Sequence, residues 1–151
     1  WRQLGFWRAF SVVSTAAVVV LAITTTLLGL RPPTVAPPGY IAVLEDSAAK
    51  PVLALRAYDK PWRMGAEPLG LPTPAPGKVL RLWAVEKNTG AAHGLIDIES
   101  EKPQLIALTE AHWKFIKGAD KLVLSIEDAG AGQKVPTMVL FSGPCINLKG
   151  S

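Results

Sequence analysis

The stretch "KVLRLWAVEKNTGAAHGLIDI" (Lys78 to Ile98) contains two apolar runs separated by a turn rich in Asn, Thr, Gly and Ala. Short runs with β-branched and aromatic residues on both sides of such a turn predict two paired strands. The first run is apolar on both faces, which is typical of a central strand. One of the two histidines, His93, follows the turn. We expect the turn to be architectural, with His93 at the surface or edge of a sheet and Trp83 as an anchor in its core or on its face.

The same strand pattern recurs along the chain. The predicted strands are Tyr40–Glu45, Pro51–Tyr58, Lys78–Glu86, His93–Ile98, Gln104–Leu108, Lys121–Glu127 and Val135–Phe141. Only the segment Thr109–Asp120 looks helical, and Gly118 would end it. In the strand "KLVLSIE", alternation predicts an apolar face inward and Lys121, Ser125 and Glu127 outward or toward an edge. Seven short strands at this spacing predict an all-β protein, an antiparallel β-sandwich of about seven strands or a small barrel.

A membrane anchor is predicted before the first strand. The run Ala9 to Leu30 has 22 residues without an ionisable side chain, and as a helix it would span roughly 33 Å. A secretory signal peptide is the alternative, but its apolar region is about 7 to 15 residues long. The sequence therefore predicts a single transmembrane helix with the N-terminus in the cytoplasm. Its expected membrane anchors are Trp1, Arg2, Trp7, Arg8 and Arg31.

The remaining segments complete a linear organisation. Residues 31–39 contain four prolines and are expected to form a semi-rigid spacer. We therefore expect a cytoplasmic juxtamembrane end (1–8), a transmembrane helix (9–30), the spacer, an extracytoplasmic β domain (40–143) and a C-terminal tail (144–151). Hydroxyl side chains in the apolar run leave three roles open: contact with another helix, easy unwinding for an intramembrane protease, or bonding to helix carbonyls. Because the chain opens on Trp, we expect further residues upstream.

The distribution of charge argues against a nucleic-acid partner. The net charge is +4, but two of the 16 Lys and Arg residues precede Leu30, which leaves 14 against 12 Asp and Glu beyond it. These charges are interleaved and form no basic stripe, so no nucleic acid is expected as a partner. No Asp or Glu occurs before Glu45, and this asymmetry separates the membrane part from the rest.

Residues able to carry chemistry are few and scattered. His93, His112 and Cys145 lack the paired spacing of a metal site, so no metal and no cofactor is expected. Ser142 and Cys145 are possible nucleophiles, but no G-x-S-x-G motif surrounds them. The glycines of "EDAGAGQK" lack P-loop spacing and are better explained by a hairpin turn. The sequence predicts that the protein is not an enzyme and that Cys145 is a spare thiol or an intermolecular bridge.

The order of several short motifs resembles a known family. "GYIAVLED", "LPTPAPGKVLRLWAVE", "GAAHGLIDI", "KLVLSIEDAGAG" and "VPTMVLFSG" are similar in arrangement to the extracytoplasmic domain of anti-sigma-K-type anti-sigma factors. The residues that match the family pattern are Leu82, Trp83, Gly94, Ile126, Glu127, Ala129, Gly130, Pro136 and Thr137. Asp128 and Met138 depart from it, since the family usually has Pro and Gly there.

The resemblance implies a membrane-bound regulator of transcription. In such proteins an N-terminal cytoplasmic domain, absent from this chain, holds an extracytoplasmic-function sigma factor away from RNA polymerase. Release commonly proceeds through membrane proteases that cut outside and then inside the bilayer, so residues 31–39 and 9–30 are the implied targets. The implied location is the bacterial inner membrane, in a single pass with the C-terminal domain periplasmic. The expected partners are then the lipid bilayer, a sigma factor and those proteases.

Another class of function stays open. The chain would alternatively be a non-catalytic structural or assembly subunit of a bacterial envelope complex, packing against an envelope partner or a second copy of itself. A ligand pocket or interface at Trp83 is also possible, because β-sandwiches often carry binding loops at their ends.

Overall fold

The computed structural model describes residues 36–148. The predicted helix over 9–30 and its anchors Trp1, Arg2, Trp7, Arg8 and Arg31 lie outside these residues. Within them, no helix has the length and apolar composition needed to cross a membrane. The eight strands are β1 (Tyr40–Glu45), β2 (Pro51–Asp59), β3 (Trp62–Pro68), β4 (Lys78–Glu86), β5 (Ala92–Ile98), β6 (Gln104–Ala107), β7 (Ala119–Asp128) and β8 (Met138–Asn147). The helix α1 (Glu110–Gly118) lies between β6 and β7.

The eight strands form one sheet in the order β5-β4-β7-β8-β1-β2-β3-β6, and every neighbouring pair is antiparallel. The all-β antiparallel prediction is confirmed, but the two packed sheets of a sandwich are not formed. The edge strands β5 and β6 are consecutive in the chain and are joined by residues 99–103 alone. Because so short a connection reaches at most about 20 Å, the sheet curls into a half-barrel.

The hydrophobic core lies on the concave face of the half-barrel. Alternate residues of the strands point into it, among them Leu44, Leu55, Met64, Leu82 and Leu124, each no more than 2% exposed. This alternation follows from the two-residue period of a strand. Curling brings the inward side chains of distant strands together, so a single sheet can bury a core without a second sheet above it.

Helix α1 packs against this core. Thr109 accepts a hydrogen bond from the backbone N–H of His112 at 3.1 Å and caps the helix N-terminus. Trp113 and Ile116 are buried, and the Trp113 ring meets Tyr40 edge to face with centroids 5.5 Å apart. The helix predicted within Thr109–Asp120 is therefore present, and two of its side chains complete the core.

The strand predictions hold, with three differences. β3 was not predicted, because "WRMGAEP" contains no β-branched residue and includes Gly65 and Pro68, although its apolar residues do alternate; it forms by pairing with β2 along its whole length. β8 begins later than predicted, at Met138, and continues to Asn147 through the first residues of the expected tail. In β7, Ser125 and Glu127 are 0% and 1% exposed instead of facing solvent, because the β7–β8 loop is anchored over that face.

Candidate functional site

Residues of β4 and β7 form a polar cluster on the convex face of the sheet. We call it the Trp83 cluster and define it as Arg81, Trp83, Ser125, Glu127 and Thr137. Arg81 lies opposite Ser125 in the register, and the cluster residues of each strand are two positions apart, which puts them on one face. Thr137 comes from the end of the β7–β8 loop, so the cluster connects that loop to two strands.

Hydrogen bonds connect the cluster in series. The indole N–H of Trp83 donates to Ser125 Oγ at 2.8 Å, and Ser125 Oγ donates to Glu127 Oε1 at 2.5 Å. Thr137 then donates twice to the same carboxylate, through its backbone N–H at 2.8 Å and its hydroxyl at 2.6 Å. Both carboxylate oxygens of Glu127 therefore have hydrogen-bond partners, which offset the free-energy cost of burying its charge.

Glu127 stays ionised in this setting. Burial by itself raises the pKa of its carboxyl group, but hydrogen bonds from Ser125 and Thr137 and the charge of Arg81 outweigh that effect and lower the pKa below its ordinary value. A carboxylate held in this way anchors the end of the β7–β8 loop. The arrangement is a structural one, in which a buried carboxylate fixes a loop to the sheet.

Arg81 connects the same face to β5 and to the loop. Its Nε donates to Asp97 Oδ1 at 2.7 Å and its Nη2 to Asp97 Oδ2 at 3.1 Å, a two-point contact. Its Nη1 donates to the carbonyl of Ala131 at 3.1 Å. The hydrogen bond with Asp97 raises the pKa of Arg81, burial lowers it, and the first effect prevails. Arg81 thus holds the middle of the loop while Glu127 holds its end.

The structure brings together most of the residues singled out by the family pattern. Trp83, Glu127 and Thr137 are in direct hydrogen-bonded series, and Gly94 lies opposite Trp83 on β5, where an added Cβ would stand 3.4 Å from the indole ring. Gly130 supplies the positive φ of +76° after β7, and Pro136 directly precedes Thr137. Leu82 and Ile126 are exceptions, because they pack in the concave core on the opposite face.

Arg81, Ser125 and Asp97 belong to this arrangement but were not singled out from the sequence. The spacing of Arg81 and Trp83, and of Ser125 and Glu127, was available as a signal, since residues two apart share a face of a strand. What the sequence did not contain was the pairing of β4 with β7. That pairing joins residues 33 to 50 positions apart, and the Trp83 to Ser125 bond has a separation of 42.

Trp83 itself is 1% exposed. A surface groove of about 360 Å³ lies beside the cluster, lined by Arg81, Gly94, Leu95, Ile96, Asp97 and Gln133. The indole is not part of that lining, so the structure places Trp83 beneath the surface of the sheet. In this position its visible role is packing and hydrogen bonding.

The candidate chemical groups outside the cluster lie in helix α1 or contact it. The His93 ring stacks on Phe115 with centroids 4.0 Å apart. Burial lowers the pKa of His112, and the Cys145 thiol contacts the Ile116 carbonyl at 3.9 Å while burial raises its pKa to about 11. Across residues 36–148, no three His, Cys, Asp or Glu side chains are grouped as metal ligands. The cluster is thus the principal arrangement of polar side chains on the sheet, and its geometry is structural.

Comparison with known proteins connects this fold with a family. The family model described as "Anti-sigma-K factor rskA, C-terminal" matches residues 10–144 of the chain. The same chain matches no curated protein and no solved structure. The matched segment begins inside the apolar run, covers the spacer and contains all of the sheet except the end of β8.

Proposed function

Since the chain belongs to the anti-sigma-K factor family, we propose that it is the membrane-anchoring and extracytoplasmic part of an anti-sigma factor. The full-length protein would bind an extracytoplasmic-function sigma factor through a cytoplasmic domain upstream of Trp1. The observation that carries the proposal is the extent of the family match, which covers nearly all of the apolar run, the spacer and most of the sheet.

Charge and hydropathy support the anchoring role. Residues 9–30 are free of ionisable side chains, Arg2 and Arg8 precede them, and the first acid is Glu45. A positive flank on one side of an apolar run favours a cytoplasmic location for that flank. The half-barrel then lies outside the cytoplasm, in the periplasm of the bacterial cell.

The described part of the chain fits a regulatory role and not a catalytic one. Ser125 is hydrogen-bonded to a carboxylate but is 0% exposed, so no substrate reaches it. The grooves at the surface are open, and the polar groups of the Trp83 cluster are used in bonding one another. Such a domain acts through binding and through its attachment to the membrane.

Copurification tests the proposed partner. The full-length protein and the chain Trp1–Ser151 are each expressed with the same affinity tag in the native membrane, and the bound proteins are identified by mass spectrometry. We expect a sigma factor with the full-length protein and none with the shorter chain. A constant set of envelope proteins without a sigma factor would instead support the structural-subunit alternative.

Regulated proteolysis is the proposed route of inactivation, with a first cut in residues 31–39 and a second within residues 9–30. The spacer is proline-rich and follows the apolar run directly, so a cut there separates the half-barrel from the anchor. Terminal sequencing of the fragments that accumulate during induction maps both cuts. A rise in sigma-dependent transcription while the protein stays intact would refute this route.

A further inference from the structure

The chain enters the half-barrel at a defined end of the sheet. Gly39 donates to the Ala57 carbonyl at 2.8 Å and accepts from the Leu148 N–H at 2.9 Å, so the entry point is fixed between β2 and β8. The register places Tyr40 opposite both Ala57 and Asn147. We call this the proximal end; it also includes the β2–β3 turn around Lys60, the β4–β5 turn (87–91) and helix α1.

The spacer limits how far the proximal end can lie from the apolar run. Residues 31–39 number nine, and nine residues of chain reach at most roughly 32 Å whatever their conformation. If residues 9–30 cross the bilayer, as the proposed function requires, the proximal end lies within that distance of the lipid headgroups. The opposite, distal end carries the β1–β2, β3–β4 and β7–β8 loops and points away from the entry point.

The surface of the proximal end differs from that of the distal end. Both ends expose large apolar side chains: Trp62 (36%) and Leu148 (48%) at the proximal end, and Leu69, Val135 and Met138 at the distal end. The proximal end is distinguished by the exposed tryptophan beside the β2–β3 turn and by its charge. The basic residues of this end are Lys60, Arg63, Lys87, Lys114, Lys117 and Lys121, all exposed. Four acids share the end with them, Asp59, Glu86, Glu110 and Asp120, so its net charge is about +2, whereas residues 36–148 contain equal numbers of acidic and basic side chains. The distal half accordingly carries a net charge of about −2.

We propose that the proximal end docks on the bilayer surface through anionic lipid headgroups, with Trp62 at the interface. The proposal rests on the membrane anchoring in the proposed function and adds an orientation to it. Tryptophan is favoured at membrane interfaces because one part of its ring system is apolar and its N–H is polar. Clustered Lys and Arg beside an anchor are attracted to anionic headgroups over about a Debye length.

Depth-dependent fluorescence quenching tests this orientation in the full chain. A fluorophore is attached to cysteine in Asn88→Cys at the proximal end or, as the matched control, Ala48→Cys at the distal end, both in a Cys145→Ser background. Both positions are exposed turn residues. The proteins are reconstituted into phosphatidylcholine vesicles with and without phosphatidylglycerol, carrying a headgroup-attached nitroxide quencher.

We expect quenching several times stronger at position 88 than at position 48 in the anionic vesicles, and a reduced difference in neutral vesicles or in high salt. Lys60→Glu with Arg63→Glu, or Trp62→Ser, should weaken quenching at position 88. Lys50→Glu with Lys134→Glu changes the net charge equally at exposed residues of the distal half and should leave quenching at position 88 unchanged.

Two outcomes would overturn the proposal in distinguishable ways. A chain that floats with the vesicles but is quenched equally at positions 48 and 88 is anchored without a preferred orientation, and only the docking proposal fails. A chain that does not float with either kind of vesicle lacks the anchor, and the membrane part of the proposed function fails together with the docking surface.

Discussion

Glu127 shows how one buried charge can hold a loop in place. Its carboxylate accepts hydrogen bonds from Ser125 and from both donors of Thr137, and the positive charge of Arg81 favours its ionised form. Burying a carboxylate is costly unless both of its oxygens have hydrogen-bond partners. Because two of the donors to Glu127 belong to Thr137, the stability of the sheet depends on the position of the β7–β8 loop.

The first prediction is a pH-dependent loss of stability in Glu127→Gln. The pKa of Glu127 is lower in the folded chain than in the unfolded one, where it is about 4.5. The stability it contributes is therefore fully present above that value and is lost as the pH falls through the folded-state pKa. We expect Glu127→Gln to lower the free energy of unfolding by about 2 kcal/mol at pH 7, with a difference from the unaltered chain that shrinks as the pH falls through the lowered, folded-state pKa of Glu127.

Urea denaturation followed by circular dichroism at several pH values measures this difference. Glu101→Gln, at an exposed position between β5 and β6, is the matched control and should change stability little at any pH. If Glu127→Gln and Glu101→Gln change the free energy of unfolding equally at pH 7, the hydrogen bonds to the Glu127 carboxylate do not stabilise the fold.

The second prediction concerns Gly143, where β8 passes very close to β1. A Cβ at this position would lie 1.9 Å from the Val43 carbonyl oxygen and 3.1 Å from Leu44 Cα, which are backbone atoms with little freedom to move. Gly143→Ala must therefore separate the two strands, and we expect a loss of about 3 kcal/mol or more, as for the more severe overpacking changes. At Gly132 no neighbouring atom lies within 4 Å of an added Cβ. Gly132→Ala should therefore leave the midpoint of thermal unfolding nearly unchanged. Equal midpoints for the two variants would mean that the strands separate at no cost.

At the scale of elements, local patterns and tertiary pairing contributed differently. β1 and β4 have the predicted bounds, because each carries enough apolar and β-branched residues to specify a strand locally. β3 contains Gly65 and a single large apolar residue inside, Met64, and it exists because β2 offers a complete row of backbone partners. Strand propensity is a weak guide where pairing supplies the stability.

The third prediction concerns the cap of helix α1. The helix has nine residues, too few to be stable alone in water. The cap therefore stabilises its first turn, and the packing of Trp113 and Ile116 holds it against the core. Thr109→Ala removes the acceptor for the His112 N–H and should cost about 1 kcal/mol. Thr109→Asp retains an acceptor and should keep most of the stability in urea denaturation. Equal losses in the two variants would show that the hydroxyl does not act as a cap.

At the scale of the whole molecule, the half-barrel places Cys145 beneath helix α1. The thiol faces the concave side, where its sulfur contacts the Ile116 carbonyl, while the neighbouring Ser142 is exposed. Cys145 is half-buried, so access to the sulfur is restricted and increases when the helix lifts or the barrel opens. The reactivity of this thiol therefore reports on opening of the structure.

The fourth prediction follows from this burial. The pKa of the Cys145 thiol is about 11, against 9.0 for an ordinary thiol. This difference lowers the fraction of reactive thiolate near neutral pH on the order of 100-fold. We expect Cys145 to react with a disulfide reagent at least that much more slowly in the native chain than in urea. Ser142→Cys in a Cys145→Ser background should react rapidly in both conditions. Rapid native reaction of Cys145 would mean that the helix does not cover it.

The sequence by itself determined the all-β class, the positions of most strands, the helix α1 and the family, because each depends on local periodicity or on short motifs in order. It also identified Trp83, Gly94, Glu127 and Thr137 as belonging to one pattern, without showing that they meet. The tertiary structure decided that one sheet curls into a half-barrel instead of forming a sandwich, and that Ser125 and Glu127 are buried. Both outcomes depend on which strands pair and on the loop that covers them, and these contacts join residues far apart in the chain, where local periodicity carries no information.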